Sequence, residues 1–435
     1  MYTVGLYTLG CKVSQYETEA VAETFSDVGF AVLDFDSVCD VYVINTCTVT
    51  EESDRKSRQF IRRAVKKNPD AKIIVMGCYS QRDSDAVRKI PGVSAVIGTD
   101  GKLKAPTIAL KLLSGELAPP YIADLSLDGA EFERMRVRSL PRTRAYVKIE
   151  DGCDSKCTYC AIKKARGRVR SKLPSDVISE VESLSRGGTA EVVLTGIEVA
   201  AYGKDFVEKY TLSELLSELD SRGSCRRIRL GSLAPELIGK DFAESVASLK
   251  ILVPHFHVSV QSGSNKTLAA MKRRYTRERA LENIERLRAL IPDATFTADI
   301  MVGFPGESED DFEDTLDFVR CAKLLDAHVF AFSRRVGTAA YDMTEQISEQ
   351  IKRQRSRIMI QEKNRTRDVV LSDIVASGRL LPCVFESYLD GYCIAHSDTF
   401  AQVRVASDAN IIGKLLYVNP LCYRDGIIYG EIKKM

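Results

Sequence analysis

Ala145-Tyr146-Val147-Lys148-Ile149-Glu150-Asp151-Gly152-Cys153-Asp154-Ser155-Lys156-Cys157-Thr158-Tyr159-Cys160 joins a strand-like run, 145–149, to three cysteines spaced CxxxCxxC. On an intact helix Cys153 and Cys160 would stand seven residues and about 10 Å apart along the axis. That is too stretched for one metal centre, so the segment must curl as a loop. A cuboidal iron–sulfur carrier uses four thiolates, and three leave one iron open to chelate a small molecule. Zinc is the alternative, but it prefers paired CxxC arms with a fourth ligand. His255, His257, His328 and His396 are all distant in sequence.

Outward from this loop, apolar runs at 145–149, 191–194, 227–230, 255–260, 295–301 and 327–332 read as strands. Helical periodicity covers 175–185, 212–219, 276–290 and 308–324. Six strands predict a partial (β/α)6 barrel rather than a closed eight-stranded one. The cysteine loop then follows the first strand, on the carboxyl-end face where such barrels carry chemistry. An open iron there fits enzymes that cleave S-adenosylmethionine.

Upstream, strands at 4–8, 41–44 and 72–76 alternate with helices at 15–28 and 50–68, stopped by Gly29 and Pro69. This pattern predicts a Rossmann-like parallel α/β domain. Each strand is followed within three residues by a cysteine: Cys11, Cys47 and Cys78. Ligands in such sheets bind beyond the carboxyl ends of the strands. One such cysteine alone reads as a small buried thiol, but three at equivalent positions read as a second three-thiolate cluster. Cys39, Cys225, Cys321, Cys383, Cys393 and Cys422 read as core or incidental thiols.

A stretch with Pro119-Pro120 and mixed charge reads as a linker, and short strands from Leu381 onward, split by Asp390-Gly391, Gly413 and Asp425-Gly426, read as a small β-barrel. The expected domains are 1–116, a linker at 117–138, a core at 139–370 and a terminal barrel at 372–435. The length of 435 residues suits about three domains at ~150 residues each. No basic leader, apolar h-region or run of ~18 apolar residues occurs, so a cytoplasmic protein off the membrane is expected. Net charge is only +2, which excludes a general polyanion binder. Local basic clusters nevertheless suggest RNA, with Arg55, Arg58, Arg166, Arg168, Arg170, Arg273 and Arg274 as candidate contacts, reinforced by the basic helix at 352–367.

Thr8-Leu9-Gly10-Cys11-Lys12, Val43-Ile44-Asn45-Thr46-Cys47-Thr48-Val49-Thr50, Gly77-Cys78 and the Asp151–Cys160 loop together resemble the radical-SAM methylthiotransferase family. Ala165-Arg166-Gly167-Arg168-Val169-Arg170-Ser171, Leu194-Thr195-Gly196-Ile197, Ser259-Val260-Gln261-Ser262-Gly263-Ser264 and 299–307 extend the match in one order along the chain. Gln15-Tyr16-Glu17-Thr18-Glu19 and Asp54-Arg55-Lys56-Ser57-Arg58-Gln59 most resemble the branch acting on N6-threonylcarbamoyladenosine in tRNA.

The resemblance implies an N-terminal methylthiotransferase domain, a radical-SAM core and a C-terminal TRAM barrel. It implies two 4Fe-4S clusters, one at Cys153, Cys157 and Cys160 and an auxiliary one at Cys11, Cys47 and Cys78. It also implies two S-adenosylmethionine molecules per product, hydrogen abstraction from adenine C2, an external electron donor, a tRNA anticodon loop as partner, and a monomer. Thr195, Gly196, Glu198, Ser259, Gln261 and Asp299 are implied to line S-adenosylmethionine, and no catalytic residue beyond the cluster ligands is implied. The chain departs from the family at Ile162-Lys163-Lys164, where Ile-Pro is usual, and at Glu198, where the branch carries histidine. Within the class the rival substrates are isopentenylated adenosine and a ribosomal-protein aspartate. From another class the rival is a non-catalytic RNA-binding iron–sulfur or zinc protein.

Overall fold

The structure is a computed structural model that describes residues 1–138, 143–407 and 409–433. The expected domain boundary at 139 lies outside the described residues. The N-terminal sheet has six parallel strands, in the spatial order Ala31–Leu33, Thr3–Thr8, Val41–Thr46, Lys72–Gly77, Val93–Val96 and Tyr121–Ile122. Val41–Thr46 is buried along its whole length, as a central parallel strand covered on both faces must be. Helix Glu51–Lys67 starts at Thr50, whose hydroxyl accepts the Ser53 amide. It carries Glu51, Glu52 and Asp54 in its first turn and Lys66 and Lys67 in its last, each charge opposing the end of the helix dipole it sits on. The direction of strand addition reverses between the first and third strands in sequence. Such a switch point opens a crevice beyond the carboxyl ends of the strands.

The central domain is an arc of parallel strands in two sheets. Arg144–Lys148, Glu191–Thr195 and Ile228–Leu230 form one; Ser232–Leu233, His255–Gln261, Thr295–Val302 and Asp326–Ala331 form the other. The two meet at Gly231, whose amide donates to Leu194 O at 2.8 Å. Ile228–Leu230 and Ser232–Leu233 are therefore one strand bent at a glycine, and the six-strand partial barrel expected from the sequence stands. Phe256, Val258, Val260, Phe296, Ala298 and Ile300 pack in the main core. Their neighbours His257, Thr297 and Asp299 point the other way, onto the concave face, because strand side chains alternate.

Leu381–Leu389, Tyr392–Ser397, Gln402–Ala406, Leu415–Arg424 and Ile427–Ile432 form a closed five-stranded barrel. Helix Glu349–Ala376 leads into it. The barrel docks through Arg227 and Arg229, which Glu191 holds while they donate to the carbonyls of Pro382, Ser397 and Asp398. Phe400 stacks on His255, with ring centroids 4.5 Å apart. Among the described residues no helix is long and apolar enough to cross a membrane.

Residues 117–138, the expected linker, pack against both neighbouring domains. Tyr121–Ile122 completes the N-terminal sheet, and Met135 and Val137 are buried in the barrel core. Met135 O accepts from Tyr16 Oη at 2.8 Å and from Lys172 Nζ at 2.9 Å, so the segment satisfies its polar backbone while burying two alternate apolar side chains. The basic helix at 352–367 turns part of its charge inward. Lys352 and Arg355 are buried, and Arg355 donates to the Glu307 carboxylate at 2.6 Å.

Candidate active site

Gly152 has φ +83°, and a Cβ there would run into the carbonyl of Arg168. Only glycine accepts both conditions, so the chain can turn sharply into Cys153. Each of the three sulfurs that follow has one N–H donor. Ser155 N donates to Cys153 Sγ at 3.4 Å, Arg273 Nη1 to Cys157 Sγ at 3.5 Å, and Ile162 N to Cys160 Sγ at 3.4 Å. Burial, with the charges of Cys157 and Cys153, pushes the Cys160 thiol up to about 11.

Cys11, Cys47 and Cys78 stand beyond the ends of three adjacent strands, and Cys11 and Cys47 flank the switch point. Gly10 keeps its neighbourhood open: a Cβ there would lie 3.1 Å from Cys47 Cβ and 3.5 Å from Cys47 Sγ. Burial pushes Cys78 up to about 12, with Arg166 opposing the rise and the charges of Cys47 and Cys11 adding to it. Cys78 Sγ receives Arg166 Nε at 3.3 Å, and Cys11 Sγ lies 3.7 Å from Ser14 Oγ. Among the described residues no three His, Cys, Asp or Glu side chains are gathered around a point that could hold a single metal ion. A cuboidal cluster instead spreads its thiolates over separate irons.

Buried charge joins the triplets. Arg166 Nη1 donates to Glu17 Oε1 at 2.9 Å and to Asp151 Oδ1 at 2.8 Å, and Lys148 Nζ donates to the same two carboxylates at 3.0 and 3.1 Å. Burial would raise the Asp151 carboxyl, but Arg166 and Lys148 outweigh it and hold it well below the usual range. A second bridge runs from Asp54, behind Cys47, to the loop after the last barrel strand, where Asp54 Oδ2 accepts from Arg335 Nη2 at 2.6 Å. The sequence motifs include Glu17 and Asp54 without assigning them a role, and Arg335 stands outside every motif, because their partners are too far along the chain to leave a local pattern.

The other expected residues line the rim and the concave face. Glu150 Oε2 accepts the Glu198 amide at 2.8 Å, while its Oε1 is buried with no protein partner. Glu198 Oε1 accepts the Ala234 amide at 2.9 Å. Burial, reinforced by the charge of Glu236, pushes Glu198 up to about 7. Ser259 offers its carbonyl to Arg273 at 2.8 Å. Gln261 sits at φ +69°, and its Oε1 is also buried without a partner; such strain at a strand end accompanies functional sites. Thr195 is buried at the end of the second strand, with Gly196 beside Glu150. Asp299 is held by His257 and His328, each at 3.3 Å.

Comparison with known proteins agrees with this arrangement. The pattern described as the Radical SAM superfamily matches residues 147–319, and that of Uncharacterized protein family UPF0004 matches 3–98. Threonylcarbamoyladenosine tRNA methylthiotransferase MtaB of Bacillus subtilis is 37% identical over 445 residues, covering 99% of this chain and 96% of that protein. MtaB of Aquifex aeolicus is 34% identical, covering 89% and 95%. The chain belongs to the radical-SAM methylthiotransferase family. The tRNA-2-methylthio-N(6)-dimethylallyladenosine synthase of Carboxydothermus hydrogenoformans, 35% identical over 82% of each chain, shares that membership. Among solved structures, the radical S-adenosylmethionine methyltransferase TsrM from Kitasatospora setae shares the fold, with TM-score 0.58 and 18% identity over 78% of this chain and 77% of that one.

A radical-SAM methylthiotransferase is an enzyme that carries a 4Fe-4S cluster and S-adenosylmethionine. The residues present fit both groups. Three thiols with one donor each suit a cluster, and the orphaned oxygens of Glu150 and Gln261 suit a polar ligand beside it. The RNA contacts fare unevenly. Arg55, Arg168 and Arg274 are exposed and Arg58 is half-buried. Arg166 and Arg170 are buried, and Arg273 turns inward to Cys157 and Ser259. These three are corrected from surface contacts to internal ones, because desolvating a guanidinium requires the carboxylates, sulfurs and carbonyls they have found. The departure at Lys163 and Lys164 forms a short helix, Ile162–Arg166, with Lys163 donating to Asp154 O at 3.3 Å.

Proposed function

We propose that this enzyme methylthiolates C2 of N6-threonylcarbamoyladenosine next to the anticodon of tRNA, with a second 4Fe-4S cluster at Cys11, Cys47 and Cys78 and two S-adenosylmethionine molecules per product. The observation that carries this reading is the buried network joining Cys78 to the turn before Cys153, which supports two centres working on one substrate. When bound, the first cluster supplies reductive cleavage of S-adenosylmethionine and the second supplies sulfur for an unactivated carbon, chemistry that side chains alone lack. In this reading the chain's own residues set distances. Gly152 shapes the loop, Arg273 and two amides hold the first sulfurs, and Thr195, Gly196, Glu198, Ser259, Gln261 and Asp299 receive S-adenosylmethionine.

Two observations favour the threonylcarbamoyl substrate over an isopentenyl one. The Bacillus subtilis MtaB is 37% identical over 99% of this chain, against 35% over 82% for the Carboxydothermus dimethylallyladenosine synthase. The concave face also presents His257 and Thr297, linked at 2.9 Å, and this polar lining suits a hydrophilic N6 substituent better than a prenyl group. The reading takes an external electron donor, a monomer and a cytoplasmic location. Mass spectrometry of tRNA nucleosides from cells lacking the protein is the test. Loss of 2-methylthio-N6-threonylcarbamoyladenosine with accumulation of its unthiolated precursor is expected. Loss of the isopentenyl product, or of a methylthiolated ribosomal-protein aspartate, moves the assignment to that substrate. Unchanged nucleosides with bound zinc favour a non-catalytic RNA-binding protein.

A further inference from the structure

Arg166 is fully buried, and a guanidinium keeps its charge at any accessible pH, so its place depends on what it touches. Its Nε donates to Cys78 Sγ at 3.3 Å, its Nη1 to Asp151 Oδ1 at 2.8 Å, and its Nη1 and Nη2 to the Glu17 carboxylate at 2.9 and 3.2 Å. Asp151 Oδ1 also accepts the amide of Gly152 at 2.9 Å, and Gly152 precedes Cys153. One planar fork therefore spans from a sulfur of one triplet to the turn that opens the other. Lysine, a single point of charge, cannot make that span.

Glu17 and Asp151 are the carboxylates in contact with Arg166, Lys148 and Lys102, all of them at most 4% exposed. Arg170 lies 3.6 Å from Asp151 and 3.6 Å from Asp100, so it brings a carboxylate of its own, and the charge of Glu133 acts on Lys102 and Lys148. The edge of Arg166 without a carboxylate is the edge turned to Cys78. A thiolate there, or an anionic cluster bound through it, faces the guanidinium directly.

We propose that Arg166 is the positioning residue that couples the two cysteine triplets, fixing the Cys78 sulfur and the group bound to it in distance and charge relative to the Cys153 turn. The proposal rests on the two-cluster reading above. Arg273 provides the internal contrast, because it donates to Cys157 of the other triplet.

The test uses anaerobically reconstituted full-length protein. It measures iron and sulfide content, an EPR-monitored redox titration, and 5′-deoxyadenosine and methylthiolated nucleoside formed on tRNA from cells lacking the enzyme. In Arg166→Gln the midpoint potential of the second cluster should fall, because a cation beside a ligating sulfur favours the more negative reduced state. The signal of the first cluster should stay unchanged. Product formed per 5′-deoxyadenosine should drop about a hundredfold, the scale of an ångström-sized misplacement. Arg166→Lys keeps the charge but not the span, so its midpoint should stay near wild type while its coupling still drops. Arg273→Gln should move the first cluster's signal instead. Wild-type midpoint in Arg166→Gln together with wild-type coupling in Arg166→Lys overturns the proposal. If Arg166→Gln does not fold, coupling in Arg166→Lys decides alone. A wild-type protein that takes up one cluster fails the two-cluster reading itself, whatever these variants do.

Discussion

At the scale of single residues, Cys157 and Cys47 make opposite demands on the site although both are half-buried thiols. Cys157 lies in the loop that follows the first barrel strand and takes its hydrogen bond from Arg273, and in the proposed function its sulfur holds the cluster that handles S-adenosylmethionine. Cys47 lies beyond the third strand of the N-terminal sheet, where burial raises its thiol and an amide bond from Val49 opposes the rise. Cys157→Ala is expected to abolish 5′-deoxyadenosine formation altogether. Cys47→Ala is expected to retain measurable 5′-deoxyadenosine while producing no methylthiolated nucleoside. Full methylthiolation by Cys47→Ala would sink the auxiliary-cluster assignment. Six cysteines could be sorted from the sequence because strand ends and tight spacing are local signals. Arg166 could not, because in a run with Lys163, Lys164, Arg168 and Arg170 it looks like its exposed neighbours. The carboxylate that buries it, Glu17, sits on a helix of another domain.

At the scale of elements, the start of helix Glu51–Lys67 is pinned to the barrel. Asp54 accepts from Arg335 at 2.6 Å, from Arg82 at 2.8 Å and from Thr48 Oγ1 at 3.0 Å, and the Glu51 amide donates to Ser333 Oγ at 3.1 Å. These contacts fasten the segment carrying Cys47 to the loop after the last barrel strand. Breaking one partner of such a buried set leaves two guanidiniums short of a counter-charge, a loss of about 3–5 kcal/mol. Asp54→Ala should therefore lower the denaturation midpoint and make the bonds around Thr46–Thr50 quick to cleave in limited proteolysis. Stability within about 0.5 kcal/mol of wild type, the level of an ordinary surface change, would show that the pin is dispensable. The elements themselves were legible wherever periodicity was long, as in the helix ending at Leu290. Val93–Val96 and Tyr121–Ile122 are too short for a period to register, and only pairing with a neighbouring strand makes them strands.

At the scale of the whole molecule, the three units are held by buried ion pairs and buried guanidinium–carbonyl bonds, whereas Arg55, Arg168 and Arg274 of the expected tRNA contacts are exposed. The two classes should separate in salt. Affinity for tRNA should fall steeply as salt rises, because each phosphate contact releases counterions, while docking of the terminal barrel should persist, since buried pairs are poorly screened. The docking residue to probe is Glu191, fully buried, with Arg229 Nε at 2.9 Å and Arg227 on its other oxygen. Burial would raise its carboxyl, but Arg229 and Arg227 outweigh this and hold it at about 2. The folded value therefore lies below the unfolded one. The pair's contribution is fully present above the unfolded value near 4.3 and is lost as pH falls towards 2. Glu191→Gln removes that contribution and leaves two arginines facing the carbonyls of Pro382, Ser397 and Asp398 without an anion between them. It should cost about 3–5 kcal/mol at neutral pH, and the gap to wild type should shrink below about pH 4, where the unfolded chain's Glu191 takes up a proton that the folded carboxylate does not. Urea denaturation of both proteins from pH 7 down to pH 3 measures it, and a gap that widens on acidification would mean that Glu191 does not hold the terminal barrel by charge.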